Sequence, residues 1–179
     1  MKEYDRRNLY FDQLNFQKDL KWLGQNTNHF VSHNYVIDEM VKSIKEQEFN
    51  KYAPPLGLEE LRYLILNHLG LDNLVSLITD GAVSGLYHIC KEFCSAGDQL
   101  ITTDPTWSWP IHFSKSTGAE VLQIPIFGKE FKYSLEPKRL KKFISKNTKL
   151  IYLVDPNNPL GTCFSEEQVL EIVEIVKGK

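Results

Sequence analysis

Three short segments carry residue types able to hold a ligand. In Thr79-Asp80-Gly81-Ala82-Val83 a glycine stands where an apolar run gives way to a helical pattern. Glycine lets a ligand approach the backbone, and a helix N-terminus offers unpaired N–H groups and the positive end of the helix dipole, which together suit a phosphate. The same residues also read as a tight strand-to-helix turn with Asp80 as N-cap. Asp104-Pro105-Thr106-Trp107-Ser108-Trp109-Pro110 sets two indoles among prolines. An indole held there could lie against a flat heteroaromatic ring by offset stacking, or simply fill the core. Asp155-Pro156-Asn157-Asn158-Pro159-Leu160-Gly161 holds side-chain amides between prolines. That arrangement is either a preorganised donor or a loop built from turn-forming residues.

The elements around these segments alternate. Apolar spacing predicts helices over Val36 to Phe49, Leu58 to Leu69, Ala82 to Phe93, Thr106 to Ser116 and Pro137 to Ile144. Short strands are expected at Val75 to Thr79, Gln99 to Thr103, Glu120 to Ile126 and Leu150 to Val154, the last apolar throughout, as in a strand buried on both faces of a parallel sheet. Ser165-Glu166-Glu167-Gln168 is a capping box opening a final helix with Val169, Ile172, Val173 and Val176 inward. Strands alternating with helices imply an α/β domain with a mostly parallel sheet. In such sheets ligands bind beyond the carboxyl ends of the strands, where all three segments lie. Tyr52-Ala53-Pro54-Pro55-Leu56-Gly57 interrupts the helical pattern and marks a linker.

Composition narrows the classes. The 21 Lys and Arg against 23 Asp and Glu give a net charge of −2, and 42% hydrophobic residues suit a globular chain, not a disordered one. The longest apolar runs fall far short of the roughly 18 residues of a membrane span. The charged start, Met1 to Arg7, leads into no apolar stretch, so a cytoplasmic location is expected and a secretory signal is not. Three cysteines, Cys90, Cys94 and Cys163, do not form a disulfide framework; Cys90 and Cys94 read as buried apolar thiols, and no metal site is expected.

From about Tyr52 to Lys177 the chain resembles the first half of the large domain of a fold type I, pyridoxal-phosphate-dependent aminotransferase of the class I/II group. Asn158-Pro159-x-Gly161, preceded by Pro156-Asn157, is the most specific motif. Pro105-Thr106-Trp107, Gly81-Ala82, and Tyr52 followed by Gly57 and Leu61-Arg62 stand at matching spacings. The segment Trp22 to Asn28 resembles the N-terminal strand of histidinol-phosphate-type aminotransferases. The resemblance implies a three-layer α-β-α fold, with residues 1–50 an N-terminal arm and small-domain segment and 51–179 an incomplete cofactor-binding large domain. It assigns Gly81, Ala82 and Val83 to the cofactor phosphate, Trp107 to the pyridine ring and Asn158 to the phenolic oxygen. Tyr52 would reach the phosphate of a neighbouring subunit, implying a homodimer. Substrates would be an amino acid and a 2-oxo acid. Leu160 stands where Thr is commoner, and at least one of Asp104-Pro105 and Asn158-Pro159 is expected to be cis.

In that family the Schiff-base lysine, the aspartate facing the pyridine nitrogen and the arginine that clamps the substrate carboxylate follow the last helix seen here. The expectation is therefore a fragment, a split reading frame or a degenerate copy, with no catalytic residue in this chain and a first strand lacking its partner. Alternatives are another fold type I activity, such as a decarboxylase or carbon-sulfur lyase, or a non-catalytic remnant that binds nucleic acid. The last rests on residues 129–149, where Lys129, Lys132, Lys138, Arg139, Lys141, Lys142, Lys146 and Lys149 outweigh Glu130 and Glu136. The alternation of Lys138, Lys142 and Lys146 with Leu140, Phe143 and Ile144 favours a surface helix packed on a sheet instead.

Overall fold

The structure is a computed structural model that describes residues 3–17, 19–21, 28–71 and 73–177. The chain divides into two compact units, Met1–Tyr52 and Ala53–Lys179.

The first unit holds α1 (Glu3–Phe16) and α2 (Asn34–Lys45), followed by a 3-10 turn at Glu48–Asn50. His33 caps α2 through its Nδ1, which accepts the Tyr35 N–H at 3.2 Å. α2 stops short of Phe49 because Gln47 adopts the left-handed conformation, φ 55°, which a right-handed helix cannot continue. Its apolar positions Val36, Ile37, Met40, Val41 and Ile44 are all exposed. Of the segment Trp22 to Asn28, residues 22–27 lie outside the described residues.

The second unit begins with α3 (Glu59–Leu69), closed by Gly70 at φ 66°. It continues through α4 (Gly81–Phe93), β1 (Gln99–Asp104), α5 (Trp109–Ser116), β2 (Glu120–Pro125), α6 (Pro137–Lys141), β3 (Thr148–Ile151) and α7 (Glu166–Val176). The strands form one parallel sheet in the order β2-β1-β3. Alternating side chains feed two cores. Ile101 of β1, Ile124 of β2 and Ile151 of β3 join Leu140 of α6 and Ile172 of α7 on one face. Leu100, Val121 and Leu150 join Cys90 and Cys94, in and just after α4, and Phe113 of α5 on the other. The period of two along each strand thus makes a three-layer α-β-α arrangement.

Several boundaries differ from the sequence reading. Residues 75–79 form no strand. A strand exists only by pairing, and here the Ile78 N–H donates to Leu56 O (3.1 Å) while the Arg62 Nε–H donates to Ser76 O (2.7 Å), so an irregular segment before α3 and a side chain hold the chain extended. The strand buried on both faces is β1, whose first five residues are buried, whereas β3 is only half buried because it lies at a sheet edge. α5 starts at Trp109, not Thr106, because Pro110 fits only the first helical turn. α6 ends at Lys141, yet Leu140 is fully buried and Phe143 and Ile144 pack against the same core, so the basic stretch covers a surface element as its alternation implied. α7 opens with the expected capping box, Ser165 with Gln168. Ile172 points inward, but Val169 and Val173 are exposed, because α6 is its main helical neighbour and leaves one side open. Asp104-Pro105, Asp155-Pro156 and Asn158-Pro159 are cis.

Cys90 and Cys94 are buried and Cys163 is exposed; burial pushes the Cys94 thiol above the usual range. Among the described residues no cluster of metal-ligating side chains occurs, and no helix is long and apolar enough to cross a membrane.

Candidate functional site

α4 has 13 residues and β1 six, so both span about 20 Å. The short turn from Ser95 to Asp98 sends the chain from the end of α4 into the start of β1, which makes the two antiparallel. The N-terminus of α4 therefore stands at the carboxyl edge of the sheet. The loops 104–108 and 155–161 leave the strands at that edge.

Each segment has its own geometry. At the start of α4, Gly81 has φ 80°, in the left-handed region that glycine tolerates, and a Cβ placed on it would meet nothing within 4 Å. Its N–H bonds Thr79 O (2.7 Å), and the Thr79 hydroxyl donates to Gly81 O (3.0 Å), so the turn is held from behind. Asp80 occupies the N-cap position but its side chain makes no cap bond, and the first turn carries no acidic residue. Among the described residues, nothing accepts from the Ala82 and Val83 amides. The result is an open, uncapped, positively polarised backbone corner.

In the second loop the two indoles part company. Trp109 opens α5 and lies 5.7 Å from the Phe113 ring, on the helix's own surface. Trp107 stays in the loop, half-buried. Pro105 O anchors this loop by accepting from the Thr103 hydroxyl (3.1 Å) and from Asn157 Nδ2 (3.4 Å). The adjacent Thr106 Oγ1 is buried and has no hydrogen-bond partner among the described residues.

The third loop divides its two asparagines between two tasks. Asn157 is 8% exposed; besides donating to Pro105 O, its Oδ1 accepts the Leu160 N–H (3.1 Å). Its backbone N–H donates to Thr162 O and its C=O accepts from Gly161 (2.8 and 2.7 Å). Asn158 is exposed and presents its amide outward from this brace. Asn157 is the functional support that the sequence reading overlooked; the only signal was an Asx residue two positions before a proline, a common turn pattern. Tyr52, the last residue of the first unit, has a side chain 97% exposed.

Replacing Asn157 with Ala should lower the stability of the domain by about 1–3 kcal/mol, because it strips two side-chain bonds and leaves the Leu160 N–H unpaired. Chemical denaturation measures this. Asn158→Ala, by contrast, should change stability by less than about 0.5 kcal/mol.

An open glycine corner at a helix start, a half-buried indole and an outward amide thus sit in loops at one sheet edge. The buried Thr106 hydroxyl, next to Trp107 in the chain, has no hydrogen-bond partner among the described residues. These residues fit a phosphorylated, planar, hydrogen-bonding molecule.

Comparison with known proteins points the same way. The family profile described as aminotransferase class I and II matches residues 18–179. The aspartate aminotransferase of Pyrococcus horikoshii is 30% identical over 147 residues, covering 79% of this chain and 37% of that protein. The histidinol-phosphate aminotransferase of Buchnera aphidicola from Schizaphis graminum is 32% identical over 136 residues, covering 75% and 37%. Among solved structures, aspartate aminotransferase from Thermus thermophilus with maleate superposes with a TM-score of 0.78 at 23% identity, covering 96% of this chain and 45% of that one. An Escherichia coli protein reported to have a methionine aminotransferase function gives 0.78 at 21%, covering 94% and 46%. The chain thus spans a little over a third of the length of these curated relatives.

Proposed function

Because the chain belongs to the class I and II aminotransferases, a pyridoxal-phosphate-dependent family, we propose that its carboxyl-edge loops form one half of a cofactor site serving amino-group transfer between an amino acid and a 2-oxo acid. The observation that carries this reading is the uncapped start of α4 with open space over Gly81. When bound, the cofactor supplies an electron sink at the carbon bearing the amino group.

The chain's own residues bind and orient. The Ala82 and Val83 amides, with the α4 dipole, hold the phosphate. Trp107 covers one ring face and fixes its plane, excluding water from that side. Asn158 donates a side-chain N–H to the phenolic oxygen and favours its ionised form. Asn157 and Pro105 O tie the Trp107 and Asn158 loops together, so that ring face and phenolic oxygen are addressed at a set spacing. Tyr52 serves the phosphate of a second subunit in a homodimer. The relatives act on aspartate and on histidinol phosphate by name, and these loops alone do not choose between such donors.

Equilibrium dialysis of the chain with pyridoxal phosphate tests the reading. Saturable, reversible uptake is expected, weakened roughly three- to tenfold by Trp107→Ala and unchanged by Trp109→Ala. Uptake indifferent to Trp107, or a borohydride-fixed adduct on one stoichiometric lysine, would refute the assignment.

A further inference from the structure

A cavity of about 200 Å³ lies between the β2–α6 crossover and the first turn of α7, lined by Glu130, Lys132, Ser134, Glu136, Arg139 and Gln168. None of the residues assigned to the cofactor borders it. Two cations and two carboxylates thus share one small space, yet among the described residues none of the four makes an ion pair. The Arg139 guanidinium lies over the Phe131 ring, 4.4 Å from its centre, and its Nη2 donates to Pro125 O (2.9 Å). Its Nη1 is buried and has no hydrogen-bond partner among the described residues. A guanidinium held out of water in this way is costly to leave without an anion.

The backbone goes to some length to bring these charges together. Lys132 and Tyr133 both have φ 53°, a left-handed conformation that residues other than glycine seldom adopt. The turn is closed by Tyr133 N–H donating to Gly128 O (3.3 Å), and the Thr162 hydroxyl fixes it from outside by donating to Tyr133 O (2.9 Å). Glu130 folds back over the same turn, since a Cβ on Gly128 would stand 2.5 Å from both of its carboxylate oxygens. Such conformations persist where the surroundings over-determine them, and they gather at ligand clamps. Here the turn offers a glutamate and a lysine to the cavity from within three residues, while Glu136 and Arg139 border it from the start of α6.

We infer that this cavity binds a small zwitterion, an α-amino acid with a neutral, polar side chain. The four bordering charges cancel, so a ligand of one sign would answer one pair and repel the other, whereas adjacent ammonium and carboxylate groups answer both. Lys132 and Arg139 take the carboxylate, Glu130 and Glu136 the ammonium, and Ser134 and Gln168 offer hydrogen-bonding walls to a short hydrophilic side chain. The space suits a molecule with the few heavy atoms of serine. Neither the site nor its test depends on the cofactor reading, because pyridoxal phosphate enters neither.

The probe is L-serine, titrated calorimetrically into the full 179-residue chain beside ethanolamine, which lacks its carboxylate, and 3-hydroxypropanoate, which lacks its ammonium. Saturable one-to-one uptake of serine is expected, with each analogue at least tenfold weaker. Amide exchange at Lys132 and Tyr133 should slow at least tenfold on binding, and that of Leu100 should not change. Glu130→Gln and Lys132→Gln should each weaken serine at least tenfold, and Lys138→Gln, exposed on α6 and outside the cavity, should not. Should either cavity variant fail to fold, judged by lost protection of Leu100, the comparison of serine with its two analogues on the unsubstituted chain decides. No saturable uptake, an analogue binding as well as serine, uptake that leaves Lys132 and Tyr133 exchanging as before, or indifference of a folded cavity variant would each overturn the proposal.

Discussion

Assayed with an amino acid, a 2-oxo acid and excess pyridoxal phosphate, the 179-residue chain alone is expected to give no saturable amino-group exchange above the free-cofactor background. The reaction moves a proton between two carbon positions of the substrate–cofactor pair, which needs a positioned base whose contribution is about 10²–10⁴-fold, beyond what binding supplies. Of the described lysines, two stand at the far end of the sheet and two are exposed in a crossover segment. Lys91 and Lys115 lie in the last turns of α4 and α5, at the end of the sheet opposite the site. Lys129 and Lys132 are exposed in the β2–α6 crossover, where Lys132 shares a cavity with Glu130, Glu136 and Arg139. Supplying the remaining family length in a fused chain should raise the exchange rate by at least about a thousandfold. Trp107→Ala or Asn158→Ala should then remove most of that gain. Saturable exchange by the chain alone, abolished by Asn158→Ala, would show that the chain holds its own base.

Hydrogen exchange should separate residues 75–79 from the sheet by a wide margin. Val75 is 83% exposed, and among the described residues of this segment the Ile78 N–H is the backbone amide with a backbone acceptor, Leu56 O. Leu100, Ile101 and Thr102 of β1 are buried between two strands and two helical layers. The first set opens by local fluctuation, the second only with the domain. For a marginally stable domain that difference amounts to about a thousandfold or more in protection. The amides of β3 should fall between, since one side of that strand is paired. Equal protection of residues 75–79 and β1 would mean that the segment has acquired a strand partner.

The contrast between these two regions also explains what could be read from the sequence. Gln99 to Thr103 was legible because Leu100 to Thr103 is apolar or hydroxylated on both faces and the run is bounded by Gly97 and Pro105. Val75 to Thr79 has the same local signature but no neighbour, and pairing is a property of the sheet, not of the residues. The apolar run Leu150 to Val154 overstated burial for the same reason: the sequence reports what β3 would tolerate on its outer side, not what covers it. At the site, the glycine corner and the Trp107 loop followed from backbone rules that act within a few residues. The division of labour between Asn157 and Asn158 did not, because two identical side chains differ only in what the fold brings to them. Pro105, which supplies the Asn157 acceptor, lies 52 residues away.

The clasp between the α3 region and residues 75–79 bears on the order in which the domain acquires structure. Arg62 and Ser76 are 14 residues apart, whereas the Gln99–Thr148 bond that joins β1 to β3 closes a separation of 49. Gly57 is seated so close to Ile78 that a Cβ would come within 2.4 Å of its side chain, so the clasp is a tight local closure. Short loops close first and at lower entropic cost. During synthesis the clasp can form while Thr148 is still untranslated. The chain leading into Gly81 is thus already tethered when the sheet assembles, and the ligand-facing corner of α4 is hung from an early local fold while its other two loops arrive with a late, long-range one.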